Sequence, residues 1–229
     1  IQGTLTVTPV TDGNTDNDTS FERVVASQAS TYTINEVAVS SVPDGSNTDQ
    51  TLVDLQTLNS GATITAGGTV NDVTVATPGS DITLTGGTVS GQIVTVGTPS
   101  ASVLNITDNV IYQFDTAGAI SNDGEINIQS GVTLTIDDTD SDGGNTATVL
   151  NNNGTNGVTG GGTLLLSGDS GDVLEIETNS GENNILPAVT ADVEVNIFDD
   201  AGGTSNIALG GVLTANASVT FGDGATGNI

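Results

Sequence analysis

Apolar and polar residues alternate with a period of two along most of the chain. In Val132-Thr133-Leu134-Thr135-Ile136 and Val193-Glu194-Val195-Asn196-Ile197 the aliphatic side chains share one face and the polar ones the other. The same holds for Ile126 with Ile128 and for Leu174 with Ile176. Successive side chains of an extended strand point to opposite faces, so the pattern predicts half-buried β-strands. Thr83-Leu84-Thr85 and Leu164-Leu165-Leu166 read as further short strands. Asn-Gly, Asp-Gly, Gly-Gly and Ser-Gly pairs punctuate them as turns. Helical spacing is confined to Leu52, Leu55 and Leu58 with Val53, a short stretch stopped by Asn59-Ser60-Gly61. The chain reads as all-β.

The pattern also repeats. Gly67-Gly68-Thr69-Val70 aligns with Gly86-Gly87-Thr88-Val89, Thr77-Pro78 with Thr98-Pro99, and Ile82-Thr83-Leu84-Thr85 with Leu104-Asn105-Ile106-Thr107. Looser echoes run from Gly118 to Asp137, Gly160 to Thr178 and Gly210 to Gly224, each a glycine-rich corner leading into a short apolar strand. Periods of roughly 20 residues with drifting insertions are expected of solenoids, whose units bury an apolar face only by stacking on their neighbours. A β-sandwich or jelly roll accommodates the same alternation and glycine turns, and is the alternative fold.

Two passages, Gly160-Gly161-Gly162-Thr163-Leu164-Leu165-Leu166-Ser167-Gly168 and Gly210-Gly211-Val212-Leu213-Thr214-Ala215-Asn216-Ala217-Ser218-Val219-Thr220-Phe221-Gly222, resemble the glycine-glycine rungs of autotransporter passenger and filamentous haemagglutinin-like bacterial surface proteins. The resemblance covers residues 60–229. It implies a right-handed parallel β-helix displayed outside the cell, acting in adhesion or as a surface coat, often without catalysis. The chain departs from those proteins in lacking Lys, and with no membrane-barrel domain at its end it is expected to be only the displayed part or another lineage using the same coil. On this reading residues 1–20 form an N-terminal strand and acidic loop, 21–59 a cap or transition region, and 60–229 the β-helical body.

Composition narrows the chemistry. Asp and Glu number 28 against one basic side chain, Arg23, for a formal charge of −27. Such a chain cannot neutralise a row of phosphates and is repelled by anionic lipid, which excludes nucleic acid and membrane surfaces as partners. Cys and His are absent, so thiolate and imidazole chemistry is excluded and only oxygen ligands remain for a metal. With 31 Gly added to the 34% hydrophobic share, the chain approaches the globular norm and can pack a core. Four Phe, two Tyr and no Trp leave that core to Val, Ile, Leu and Ala. No apolar stretch approaches the roughly 18–20 residues of a membrane helix. Methionine is absent too, so the chain is expected to be a processed, secreted product.

The first residues form a separate amphipathic pattern. Ile1, Gly3, Leu5 and Val7 fall on one face and Gln2, Thr4, Thr6 and Thr8 on the other, ended by Pro9. A polar stretch from Thr11 to Ser20 follows. A strand on such a tether needs a sheet edge for its amides, either in its own chain or in the next subunit. In the second case it is a donor strand, and heterologous contacts of that kind propagate into fibres.

Two acidic runs have the alternate spacing of calcium loops. Asp138, Asp140 and Asp142 precede Gly143, with Asn145 close by, and Asp12, Asn14, Asp16 and Asp18 precede Glu22. Alternate oxygens converge on a cation that accepts six to eight loose ligands. Position twelve from Asp138 is Val149 and not Glu, so an EF-hand is excluded and only an open Ca²⁺ loop remains. The alternative is a solvated acidic turn. Asn17, Asn105, Asn153 and Asn216 begin N-glycosylation sequons. Glu175 with Glu177 and Asp199 with Asp200, the latter read as a turn, are carboxylate pairs of the kind glycoside hydrolysis uses. In so acidic a chain such pairs arise by number alone, and no catalytic residue is expected.

The expectation is a secreted structural protein of the cell surface, a homopolymeric subunit of a filament, sheath or surface layer. It joins by N-terminal strand addition and by cations that offset its charge. A displayed adhesin, engaging a glycan or host surface through loops such as 151–162, is the alternative. A carbohydrate-active β-helix or phage fibre is the third reading.

Overall fold

The computed structural model describes residues 3–4, 20–37, 42–43, 48–49, 51–97, 101–114, 120–138, 146–152, 156–178, 183–199, 205–222 and 225–228. In chain order the strands are β1 (Gly3–Thr4), β2 (Ser20–Ala26), β3 (Thr31–Val37), β4 (Val42–Pro43), β5 (Thr48–Asp49), β6 (Thr51–Thr57), β7 (Thr63–Val70), β8 (Val73–Val75) and β9 (Asp81–Val89). There follow β10 (Ile93–Thr95), β11 (Val103–Phe114), β12 (Ile120–Asn122), β13 (Glu125–Ile128), β14 (Thr133–Asp138), β15 (Thr146–Asn152), β16 (Gly157–Gly160) and β17 (Thr163–Ser167). The last are β18 (Val173–Thr178), β19 (Asn183–Leu186), β20 (Ala188–Ala191), β21 (Glu194–Asp199), β22 (Ser205–Leu209), β23 (Leu213–Ala215), β24 (Val219–Gly222) and β25 (Ala225–Asn228). No helix occurs among the described residues.

An 11-stranded sheet runs β1-β3-β7-β9-β11-β14-β17-β20-β23, with β13 paired to β11 and β16 to β13. A 9-stranded sheet runs β2-β6-β8-β10-β12-β15-β18-β21-β24, and a 3-stranded sheet β19-β22-β25. Most strands consecutive in the chain fall in different sheets, although β13 with β14 and β16 with β17 share one, so partners in a ladder come from successive repeats. Parallel strands need long connections, and here the intervening strands of the other sheets supply them. Pairing crosses residue 59 without a break, because β6 joins β2 to β8 and β3 joins β7. Antiparallel pairing occurs among the described residues only between β4 and β5. Sandwiches and jelly rolls are built from antiparallel strands, so the long parallel sheets do not match that alternative.

The repeats read from the sequence are ladder partners in space. Gly68, Thr69 and Val70 pair with Gly87, Thr88 and Val89. Ile82, Thr83 and Leu84 pair with Leu104, Asn105 and Ile106. A register shift follows at Ile106/Asp108, so Thr85 faces Asp108 and not Thr107. Thr98 and Pro99 lie outside the described residues. The stretch with helical spacing is the strand β6, in which Leu55 is buried and Gln56 half-buried. Its ladder bonds to β2 and β8 outweigh the weak helical preference of so short a segment.

One aliphatic core lies behind the sheets. Val24, Leu55, Val73, Ile93, Ile120, Leu150, Ile176 and Ile197 are successive partners across the 9-stranded sheet, and all are buried. Each such side chain contributes about 1.5–3 kcal/mol by leaving water. Parallel sheets usually bury both faces and read as continuous apolar runs. Here only the inward face is buried, which is why β14 and β18 keep strict alternation. Tyr112 and Phe114 add a stacked ring pair, with centroids 6.0 Å apart.

Candidate functional site

The inward lane beside that aliphatic column changes character from one strand to the next. Thr57, Val75, Thr95, Asn122, Asn152, Thr178 and Asp199 are successive ladder partners, and every one is buried. The Thr95 hydroxyl donates to Asn122 Oδ1 at 2.6 Å and accepts the Gly124 N–H at 2.9 Å. Asn122 Nδ2 donates to Asn152 Oδ1 at 2.8 Å and to the Gly157 carbonyl at 2.9 Å. Thr57 and Ser80 hydroxyls lie 2.7 Å apart, and Ser80 donates onward to the Thr77 carbonyl. Ser102 accepts the Val96 N–H and donates to the Val75 carbonyl. Buried polar groups are costly unless satisfied, so this ladder clamps the ends of the short strands to the turns beyond them. Sequence reasoning missed it. The signal was present: Ile93-Val94-Thr95, Ile120-Ser121-Asn122, Leu150-Asn151-Asn152, Ile176-Glu177-Thr178 and Ile197-Phe198-Asp199 each place a polar residue where the period calls for an apolar one.

A second set of side chains, with Asp54 buried on β6 and Asp72 half-buried, ties each repeat to the turn of the next. Asp54 Oδ1 accepts from Asn71 Nδ2 at 2.9 Å and from the Asp72 N–H at 3.3 Å. Asp72 Oδ1 in turn accepts the Gln92 N–H at 2.7 Å. Acidic residues here hold backbone donors of the neighbouring repeat, the ordinary use of Asp in turns.

Of the calcium-loop residues, Asp138 is described and the others are not. It closes β14, is buried, and pairs in register with Phe114. Asp172, also buried, stands close by across Gly168: a Cβ on that glycine would lie 3.0 Å from Asp172 Oδ2 and 3.1 Å from Asp138 Cβ. Asp172 Oδ2 accepts the Asp169 N–H at 2.6 Å. Asp140, Asp142 and Asn145 lie outside the described residues, as do Asp12, Asn14, Asp16 and Asp18. Among the described residues no group of three or more acidic side chains is placed to hold a metal ion.

Of the N-terminal strand, Gly3 is described, and Ile1, Leu5 and Val7 are not. Gly3 and Thr4 pair in parallel with Tyr32 and Thr33 of the same chain. Among the sequons, Asn17 and Asn153 lie outside the described residues. Asn105 is half-buried on β11, and its Oδ1 accepts from Asn127 Nδ2 at 3.1 Å. Asn216 is exposed, with Nδ2 bonded to Asp192 Oδ1 at 2.7 Å. Glu175 and Glu177 share the outward side of β18, half-buried, and Glu175 accepts from the Thr148 hydroxyl. Asp199 is not in a turn as the sequence suggested: it ends β21, buried in the polar lane, because that lane tolerates a polar inward residue. Much of the segment 151–162 is strand, in β15 and β16, and not loop.

Among the described residues, two groups are shifted from their usual range. Burial raises the Asp81 carboxyl, which lies half-buried between Thr63 and Val103. Burial, with the negative charge of Asp72, pushes the Tyr112 hydroxyl up to about 12.

The outward side of the 11-stranded sheet carries a different lane. Thr69, Thr88, Ile111, Thr135, Leu165 and Thr190 are successive partners, continued by Thr214, and all are half-buried or exposed. None is charged. No protein-family profile matches the chain, and neither does any curated protein or solved structure at a significant level.

Proposed function

We propose that the chain is a secreted structural protein of the cell surface, a right-handed parallel β-helix of the autotransporter-passenger kind whose copies assemble into a filament, sheath or layer. The observation that supports this reading is the continuous parallel pairing, strand after strand, along both long sheets. A parallel stack is polar: its two edges differ and are complementary. A strand added at one edge therefore repeats the geometry of the interior, and a copy added that way makes a heterologous contact that does not close. Gly3 and Thr4 pair in parallel with β3 within the chain, so donation would require this segment to leave β3 for the equivalent edge of a neighbour. Calcium, held by Asp138 with Asp140, Asp142 and Asn145, would offset part of the −27 charge that opposes association.

Negative-stain microscopy of the full chain with calcium, against a form lacking residues 1–10, tests the reading. Filaments or sheets from the first and none from the second are expected. Single particles from both would leave the displayed adhesin in its place. Calorimetric titration with calcium separates the cation from the strand: the heats should vanish in Asp140→Ala and Asp142→Ala, and unchanged heats would remove the loop.

A further inference from the structure

We draw no further inference here: the strongest candidate, the side-chain cluster of buried Asp138 at the end of β14 and buried Asp172 ahead of β18, both beside Gly168, is an acidic cluster with no second observation that points to a ligand.

Discussion

Gly87 lies beside Gly68 in the ladder so closely that a Cβ on Gly87 would clash with the Gly68 carbonyl oxygen. Both have positive φ, 106° and 92°, and the register shifts between Ala66 and Gly68. The repeated Gly-Gly pair thus marks an irregularity in the ladder between β7 and β9. Gly87→Ala should lower stability by about 3 kcal/mol or more, through a clash with backbone that cannot move aside. Gly131, with φ 80° and no atom within 4 Å of its added Cβ, isolates the backbone contribution. Gly131→Ala should cost about 1–2 kcal/mol. Thermal unfolding followed by circular dichroism ranks the two, and equal losses would remove the close-approach argument.

Asn122 makes three hydrogen bonds at the centre of the buried polar lane. Asn122→Ala strands the Thr95 hydroxyl, Asn152 Oδ1 and the Gly157 carbonyl, at about 1–3 kcal/mol for each group left without a partner. Asn152 offers a comparison, because its Nδ2 already lacks a partner among the described residues. Asn152→Ala should therefore destabilise less than Asn122→Ala in urea titration. The reverse order would show that the lane does not act as a chain.

Tyr112 is fully buried, and its hydroxyl has no partner among the described residues. Its folded pKa, about 12, stands above the ordinary 10.0, so its contribution to stability is complete below pH 10 and is lost as pH rises through about 12. The wild type should lose stability over that alkaline window, and Tyr112→Phe should lose less. At neutral pH the variant should be neutral or slightly stabilised, since no hydrogen bond is removed. Denaturation midpoints as a function of pH check both statements.

Asp81 carries a carboxyl raised by burial. Its folded pKa exceeds the unfolded one, so its contribution is present below the unfolded value and is lost as pH rises through the folded value. Asp81→Asn should therefore raise the melting temperature at neutral pH and leave it nearly unchanged below the model-peptide value of 3.8. A variant that gains equally at both pH values would point to a cause other than charge.

Much of the fold is legible in particular residues. Ile82 and Leu104, aligned as equivalent in the sequence, are partners in the ladder. Legibility ends where tertiary context overrules local pattern. Leu55 sits in a helix-like spacing yet in a strand, because β2 and β8 offer ladder bonds on both sides. Thr95 and Asn122 are inward and polar because each satisfies the other. They stand 27 positions apart in the chain, so no local window contains that fact. Asp138 was legible as a carboxylate in an acidic run, but not as a buried neighbour of Asp172, which comes from a later repeat.

The sequence by itself determined the strands, the face of each that turns inward, and the pairs of repeats that resemble one another. These follow from the geometry of a single extended chain, in which side chains alternate whatever the strand is bonded to. Only the tertiary structure decided that the ladders are parallel, that a polar lane runs beside the aliphatic one, and that the outward lane from Thr69 to Thr214 is free of charge. Each of those depends on which residues about twenty to thirty positions apart become neighbours, and the period of a single strand carries no record of that choice.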